Sequence, residues 1–184
     1  WQFVPTTLLS MVDSSIGGKV GVNFEPWGKN QLGLFYPPWR VQTWAGWLAT
    51  LDEKELRSGA AEALKHAVLS GNLGLWRELI DISRTKGWER FHRLIFPVLA
   101  VKHGVVSRDP YETGERAVLN FGHTLGHAVE TIMSSRGKGL SHGACVAFGM
   151  IHALRVSKVK FGFESDSLID ELISADILPA GPEL

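Results

Sequence analysis

The chain has 184 residues, 45% of them hydrophobic and 21% charged, which is typical of a globular protein with one sizeable core. Nineteen basic side chains balance nineteen acidic ones, so the charge excludes a strongly basic nucleic-acid or membrane-surface protein. A single cysteine, Cys145, excludes an intrachain disulfide, and no apolar run approaches the ~20 residues of a membrane span.

Residues 1–4 have the composition of a β-strand that ends at Pro5. A short helix should follow, with Thr6 or Thr7 as its cap. The chain begins with Trp1 rather than methionine and stops soon after its last predicted helix, so we expect a fragment or truncated product.

Residues 13–23 are rich in glycine and contain Lys19. Such a segment allows either a simple turn or a close approach of the backbone to a phosphate, although its spacing does not match a P-loop. Residues 28–30 form a second polar turn. Residues 35–44 indicate a strand with Val41 at its centre.

The pattern becomes helical from Leu51 onwards. Asp52 can cap a turn, and a helix is predicted over 60–69, ending at Gly71. Glu62 and Lys65 share one face of this helix. They form either a solvated ion pair or, because their neighbours are small and apolar, a buried carboxylate that needs a metal or a cation.

Further helices are predicted over 75–82, 88–106, 144–154 with a continuation towards 159, and 166–175. In the second of these, Lys102 lies on the apolar stripe. Its ammonium group therefore either extends to the surface or reaches into a site.

Residues 116–130 contain His123 and His127, four positions apart, with Glu130 on the same face. On a helix the two imidazoles lie one turn apart, which makes half of a Zn²⁺ site that needs one or two ligands from elsewhere. The alternative is a helix with two core or capping histidines.

Other segments supply the groups that would complete such a site. Glu62 and His142 come from separate predicted helices, as the ligands of an open catalytic metal site usually do. Cations are available for an anionic substrate at Lys19, Lys65, Lys102 and Arg116. These residues favour a metalloenzyme acting on a phosphorylated or carboxylated small molecule.

Several segments, taken together and in order, resemble the 3-dehydroquinate synthases and, more broadly, the sugar phosphate cyclases. Each carries part of the resemblance, and they are residues 5–19, 28–30, 55–65, 116–130, 142–143 and 149–150. The resemblance implies an α/β two-domain enzyme of which this chain is the mainly α C-terminal domain with a remnant of the nucleotide-binding domain. The expected boundaries are 1–45 for the junction and remnant, and 46–184 for a C-terminally truncated helical domain.

The resemblance also implies roles for individual residues. Metal ligands would be Glu62, His123 and His142, which removes His127 from the ligand set and places it at the substrate's phosphate. Contacts to NAD would come from Asp13 and Lys19. Catalytic residues would be His127, Lys65, Lys102 and Glu112. Substrate-binding residues would be Lys19, Asn30, Lys65, Lys102, Arg116, Asn120 and His127.

The implied reaction, in the shikimate pathway, converts 3-deoxy-D-arabino-heptulosonate 7-phosphate to 3-dehydroquinate and phosphate, with NAD and Zn²⁺ or Co²⁺ as cofactors. The resemblance also implies a cytoplasmic homodimer that binds no nucleic acid and no membrane. Arg116 and Asn120 favour this substrate over those of the 2-deoxy-scyllo-inosose and 2-epi-5-epi-valiolone synthases. A metal-binding domain without turnover and an unrelated metal-dependent hydrolase are the remaining alternatives.

Overall fold

Helix α1 (Glu53–Ser70) lies at the centre of the computed structural model, and its residues 58–67 are all buried. The structure describes residues 1–24 and 28–178, and side chains within 1–22 and 32–178. The Asp52 carboxylate accepts the N–H of Glu55 at 2.8 Å, and Gly71 ends the helix in the left-handed conformation. The helix predicted over 60–69 is confirmed but begins earlier, because Asp52 caps the whole helix rather than a separate turn.

Within the part of the chain that the structure describes, five further α-helices pack on α1 directly or through a neighbouring helix. They are α2 (Leu73–Thr85), α3 (Ile95–Arg108), α4 (His123–Ser135), α5 (His142–Phe161) and α6 (Asp166–Ser174). Helices α2, α3 and α5 pack directly on α1, α4 packs on α5, and α6 packs on α5 and α2. The mainly helical C-terminal domain is therefore confirmed. Within the described residues, no helix is both long and apolar enough to cross a membrane.

The single helix predicted over 88–106 is wrong. A 3₁₀ helix, Trp88–Arg93, is followed by a turn at Leu94 and then by α3. Pro97 explains the break, because it has no N–H to donate to the carbonyl of Arg93 and its ring disfavours a preceding helical turn.

Two small sheets precede the helices. β1 (Gln2–Phe3) pairs in parallel with β4 (Arg40–Val41), and β2 (Lys19–Phe24) pairs antiparallel with β3 (Gly28–Phe35). The strand predicted at 1–4 is confirmed. The one predicted over 35–44 shrinks to Arg40–Val41.

The glycine-rich segment is a turn at residues 15–18 and a hairpin strand from Lys19 onwards. Residues of one strand pair with those of the other in register, Val20 with Leu34 and Val22 with Leu32. β-Branched and apolar residues at alternate positions favour this pairing. Gly17 and Gly18 come just before the strand. Strand β3 then leads into the Pro37-Pro38 segment, where a strand cannot continue.

Helix α5 approaches α1 closely at Gly143. Its N–H donates to the Ser58 hydroxyl at 3.1 Å, and a Cβ at this position would overlap the Ser58 carbonyl. Only glycine therefore allows the first turn of α5 to lie against α1. This contact brings His142 next to the middle of α1.

We expect Gly143→Ala to lower the free energy of unfolding by about 1–3 kcal/mol, because the added methyl group must push two packed helices apart. Urea denaturation followed by circular dichroism would measure the change. Gly139→Ala is the matched control, since a Cβ there meets nothing within 4 Å. Equal destabilisation by both variants would contradict the proposed close approach.

Candidate active site

A cavity of about 690 Å³ lies between the hairpin and the helices. Ten of the residues that the sequence singled out line it, and they are Asp13, Lys19, Lys65, Lys102, Glu112, Arg116, Asn120, His123, His127 and His142. Glu62 contacts three of them, His123, His142 and Lys65, from within α1. The predicted Asn30 lies in β3, but its side chain is outside the described residues.

The Glu62 carboxylate is completely buried beside two imidazoles. Its Oε1 lies 3.5 Å from Nε2 of His123 and 3.5 Å from Nε2 of His142. Its other oxygen, Oε2, forms an ion pair with Nζ of Lys65, and a buried carboxylate is costly without partners of this kind. The Glu62–Lys65 pair allowed by the sequence therefore forms, but it is buried rather than solvated.

His123 and His142 each lie at the start of a helix. His123 is the first residue of α4, after Gly122 turns the chain with φ 79°. His142 is the first residue of α5, whose cap Ser141 accepts the N–H of Ala144. Both imidazoles therefore reach Glu62 from the ends of rigid helices, and a helix start fixes a side chain more firmly than a loop does.

The donor set fits a divalent metal such as Zn²⁺. Burial lowers the pKa of His123, so its imidazole is neutral and can donate a lone pair. Its Nδ1 lies 3.2 Å from the carbonyl of Phe121, which leaves Nε2 for a metal. Hydrogen bonding to Glu62 raises the pKa of His142 instead. A cation between two imidazoles and a carboxylate would satisfy all three groups.

His127 lies one turn further along α4 and is exposed at the cavity. Its ring centroid is 5.2 Å from that of His123 and 5.7 Å from that of His142. The nitrogens of these three histidines come within 4.8 Å of one another. His127 thus lies close enough to take part in metal binding, and its assignment to the substrate's phosphate stays a prediction.

On the other side of Glu62, the Asp13 carboxylate lies beside three basic side chains. Its Oδ1 lies 3.0 Å from Nζ of Lys102, 3.5 Å from Nζ of Lys65 and 3.1 Å from Nε2 of His66. The backbone widens to a π turn over Ser10–Ser14, a feature often found at functional sites, and this turn presents Asp13. Lys102 therefore reaches into the site rather than to the surface.

The two acidic residues Asp13 and Glu62 balance the charges of Lys65 and Lys102. Burial alone would raise the pKa of Asp13, but Lys102 and Lys65 outweigh it and hold that pKa well below its ordinary value. Burial lowers the pKa of Lys102, whereas Asp13 and Glu62 overcome burial and raise that of Lys65. One buried carboxylate, Glu62, and one partly buried carboxylate, Asp13, thus face two buried amines.

The sequence did not single out His66, which is completely buried and lies behind Asp13. The available signal was its position one helical turn after Glu62, on a helix face made of small apolar residues.

Glu112 links the hairpin to the helices. Its carboxylate forms an ion pair with Lys19 and accepts a hydrogen bond from Asn120 at 2.9 Å. These contacts outweigh burial and lower the pKa of Glu112. The residue has a left-handed backbone with φ 58°, which is unusual for a side chain of this size and is a form of strain found at functional sites.

Arg116 is buried at the edge of the cavity and organises the backbone around it. Its guanidinium donates to the carbonyl of Pro110 at 2.6 Å and to that of Gly17 at 2.8 Å. The Phe35 ring lies 5.6 Å from the guanidinium carbon. Three backbone N–H groups, led by that of Arg116, hold Asp109 and lower its pKa to about 2.

Comparison with protein-family models gives two matches. Residues 59–176 match the model described as 3-dehydroquinate synthase C-terminal, and residues 1–58 match the one described as 3-dehydroquinate synthase N-terminal. The boundary between the two matches falls within α1.

Curated relatives include 3-dehydroquinate synthases of Pyrococcus abyssi and Geobacter sp.. The first is 40% identical over 96% of this chain and 51% of its own length, and the second is 45% identical over 96% and 49%. The chain therefore spans about half the length of the curated relatives that it matches.

Solved structures show the same fold. A 2-epi-5-epi-valiolone synthase from Streptomyces hygroscopicus, with NAD⁺ and Zn²⁺ bound, is 27% identical and superposes with a TM-score of 0.71 over 99% of this chain and 51% of its own. A 2-deoxy-scyllo-inosose synthase, 24% identical, superposes with a TM-score of 0.73 over 100% of this chain and 50% of its own.

Proposed function

Since the chain belongs to the 3-dehydroquinate synthase family, we propose that it forms the metal- and substrate-binding part of an NAD-dependent phosphate lyase. The lyase would convert 3-deoxy-D-arabino-heptulosonate 7-phosphate to 3-dehydroquinate and phosphate. The observation that carries this proposal is the buried Glu62 beside His123 and His142, at a cavity lined with cations. We further propose a cytoplasmic homodimer whose helical part corresponds to 46–184.

The metal would be held by Glu62, His123 and His142. Two imidazoles and one carboxylate leave a coordination position for a substrate oxygen, as catalytic Zn²⁺ sites do. When bound, the metal would supply Lewis-acid polarisation and NAD would supply hydride exchange. Lys65 stays charged beside Glu62 and limits the negative charge that faces the substrate.

The remaining residues would bind and orient a doubly anionic substrate. Lys19, Lys102 and Arg116 line the cavity together with Asn120, and cations with amide donors suit both phosphate and carboxylate. His127 is exposed in the same cavity and could move a proton on the phosphate side. Asp13 would contact the nicotinamide ribose.

One alternative is a related cyclase acting on a substrate without a carboxylate. A structure of 2-deoxy-scyllo-inosose synthase holds carbaglucose-6-phosphate, NAD⁺ and Co²⁺, which makes this class worth testing. A second alternative function is a metal-binding domain without turnover. The number of cations at the cavity favours the carboxylated substrate, because Lys19, Lys102 and Arg116 together offer positive charge for both a phosphate and a carboxylate.

A chimera would test the proposed function. The 184 residues would replace the matching half of the Geobacter sp. relative, and phosphate release would be measured with NAD⁺ and Zn²⁺. We expect release from the heptulosonate 7-phosphate to exceed that from glucose 6-phosphate or sedoheptulose 7-phosphate by at least about 10²-fold, since the cations that line the cavity would lose one of the two anionic groups that they bind.

The His123→Ala chimera is the control for metal dependence, and it should release no phosphate. Equal or faster release from either uncarboxylated sugar phosphate would favour a related cyclase. A folded, Zn²⁺-binding chimera that releases phosphate from none of the three substrates would favour the domain without turnover.

A further inference from the structure

Glu130 contacts one of the proposed metal ligands from behind. It lies on α4, seven residues after His123, and therefore on nearly the same face of that helix. Its Oε2 lies 3.3 Å from Nδ1 of His142, the first residue of α5. Only 17% of the Glu130 side chain is exposed, so water screens this contact weakly.

The two nitrogens of His142 face different carboxylates. Nε2 points towards Glu62, at 3.5 Å from Oε1, and Nδ1 points towards Glu130. With its N–H on Nδ1, the ring donates to Glu130 and presents the Nε2 lone pair towards Glu62 and His123. This is the tautomer that a metal between these residues requires.

The two histidines are held in different ways. Nδ1 of His123 faces the backbone carbonyl of Phe121, which a substitution cannot remove. His142 depends on a side chain instead. A carboxylate partner also makes an imidazole a stronger electron donor than a carbonyl partner does.

Resting on the metal ligands proposed above, we propose that Glu130 is a positioning residue of the metal centre, which fixes the orientation and tautomer of His142. Helix α4 then contributes to both histidine ligands, directly through His123 and indirectly through Glu130. The role concerns metal affinity and geometry, and it requires no contact between Glu130 and substrate.

The test measures metal binding by the 184-residue chain, with Zn²⁺ affinity determined by competition with a chromophoric chelator. We expect Glu130→Ala to weaken Zn²⁺ binding by about 10- to 100-fold. Glu130→Gln, which keeps an acceptor oxygen, should weaken it less. The absorption bands of bound Co²⁺ should shift in both variants, because they report the geometry of the ligands.

Glu115→Gln is the matched control, since Glu115 is exposed and pairs with Arg108 at the surface. It removes the same charge and should leave both the affinity and the Co²⁺ spectrum unchanged. Thermal unfolding with a chelator present would show whether any variant is destabilised without metal.

Unchanged Zn²⁺ affinity in a folded Glu130→Ala chain would overturn this inference while leaving the proposed ligands intact. So would losses of equal size in Glu130→Gln and Glu115→Gln. If Glu130→Ala does not fold, the comparison between those two glutamine variants still decides the matter. A wild-type chain that binds no Zn²⁺ would overturn both the metal centre and the role of Glu130.

Discussion

Replacing His123 with alanine should abolish stoichiometric metal binding by this chain, whereas replacing His127 should not. Nε2 of His123 lies 3.5 Å from the buried Glu62 carboxylate, whereas His127 lies one turn further along α4 and is exposed at the cavity. Loss of one of three protein ligands should weaken Zn²⁺ binding by at least about 10³-fold, since each ligand bond contributes several kcal/mol. Metal content after dialysis, measured by atomic emission, would give the answer.

His152→Ala is a control for the loss of an imidazole, because His152 lies on α5 beside Phe148 and does not line the cavity. Equal metal loss in His123→Ala and His127→Ala would instead show that the pair four residues apart forms the centre. The nitrogens of His123, His127 and His142 lie close enough for that arrangement. The comparison therefore decides between two ligand sets that share two histidines.

The helices could be predicted from the sequence where local signals agree. Asp52 and Gly71 bound α1, and the apolar spacing between them matches a helix buried on several sides. Helix α5 likewise begins only two residues before the helix predicted over 144–154. The apolar spacing did not predict the break at Leu94. It continues through this residue, whereas Pro97 in the first turn of α3 prevents the helix from extending further back.

The hairpin could not be predicted in the same way. Gly17, Gly18 and Gly21 dominate the local composition, and glycine in such density favours a turn. The strand forms because Val20 and Val22 have partners in β3, ten or more residues away along the chain. Pairing at this distance depends on the turn between the strands, whose residues 25–27 lie outside the described part.

The candidate site shows a similar division. Glu62, His123 and His142 were chosen by chemical type and by resemblance. The structure brings them together because Gly143 lets α5 lie against α1 and Gly122 lets the start of α4 lie against α5. His66 was missed because an imidazole on an apolar helix face is usually a core residue. Only the fold shows that Asp13 lies 3.1 Å from it.

Asp13→Asn should destabilise the chain by about 3–5 kcal/mol at neutral pH, because it leaves buried cations without their carboxylate partner. Lys102 has its described ion pair with Asp13 alone, at 3.0 Å, whereas Lys65 keeps Glu62. Urea denaturation at neutral pH would measure the loss. Asp170→Asn, on an exposed face of α6, is the matched control and should change stability by less than about 0.5 kcal/mol.

The stabilities of the wild-type chain and the Asp13→Asn variant should also depend differently on pH in the acid range. Because Lys102 and Lys65 hold the pKa of Asp13 well below its ordinary value, ionised Asp13 stabilises the fold fully above about pH 4, the pKa in the unfolded chain. This contribution is lost as the pH falls from there through the lower folded-state pKa. The gap in stability between wild type and Asp13→Asn should therefore narrow below about pH 4. A gap that stays constant down to that acid range would show that the asparagine disrupts packing, and that the Asp13 charge does not hold Lys102 in place.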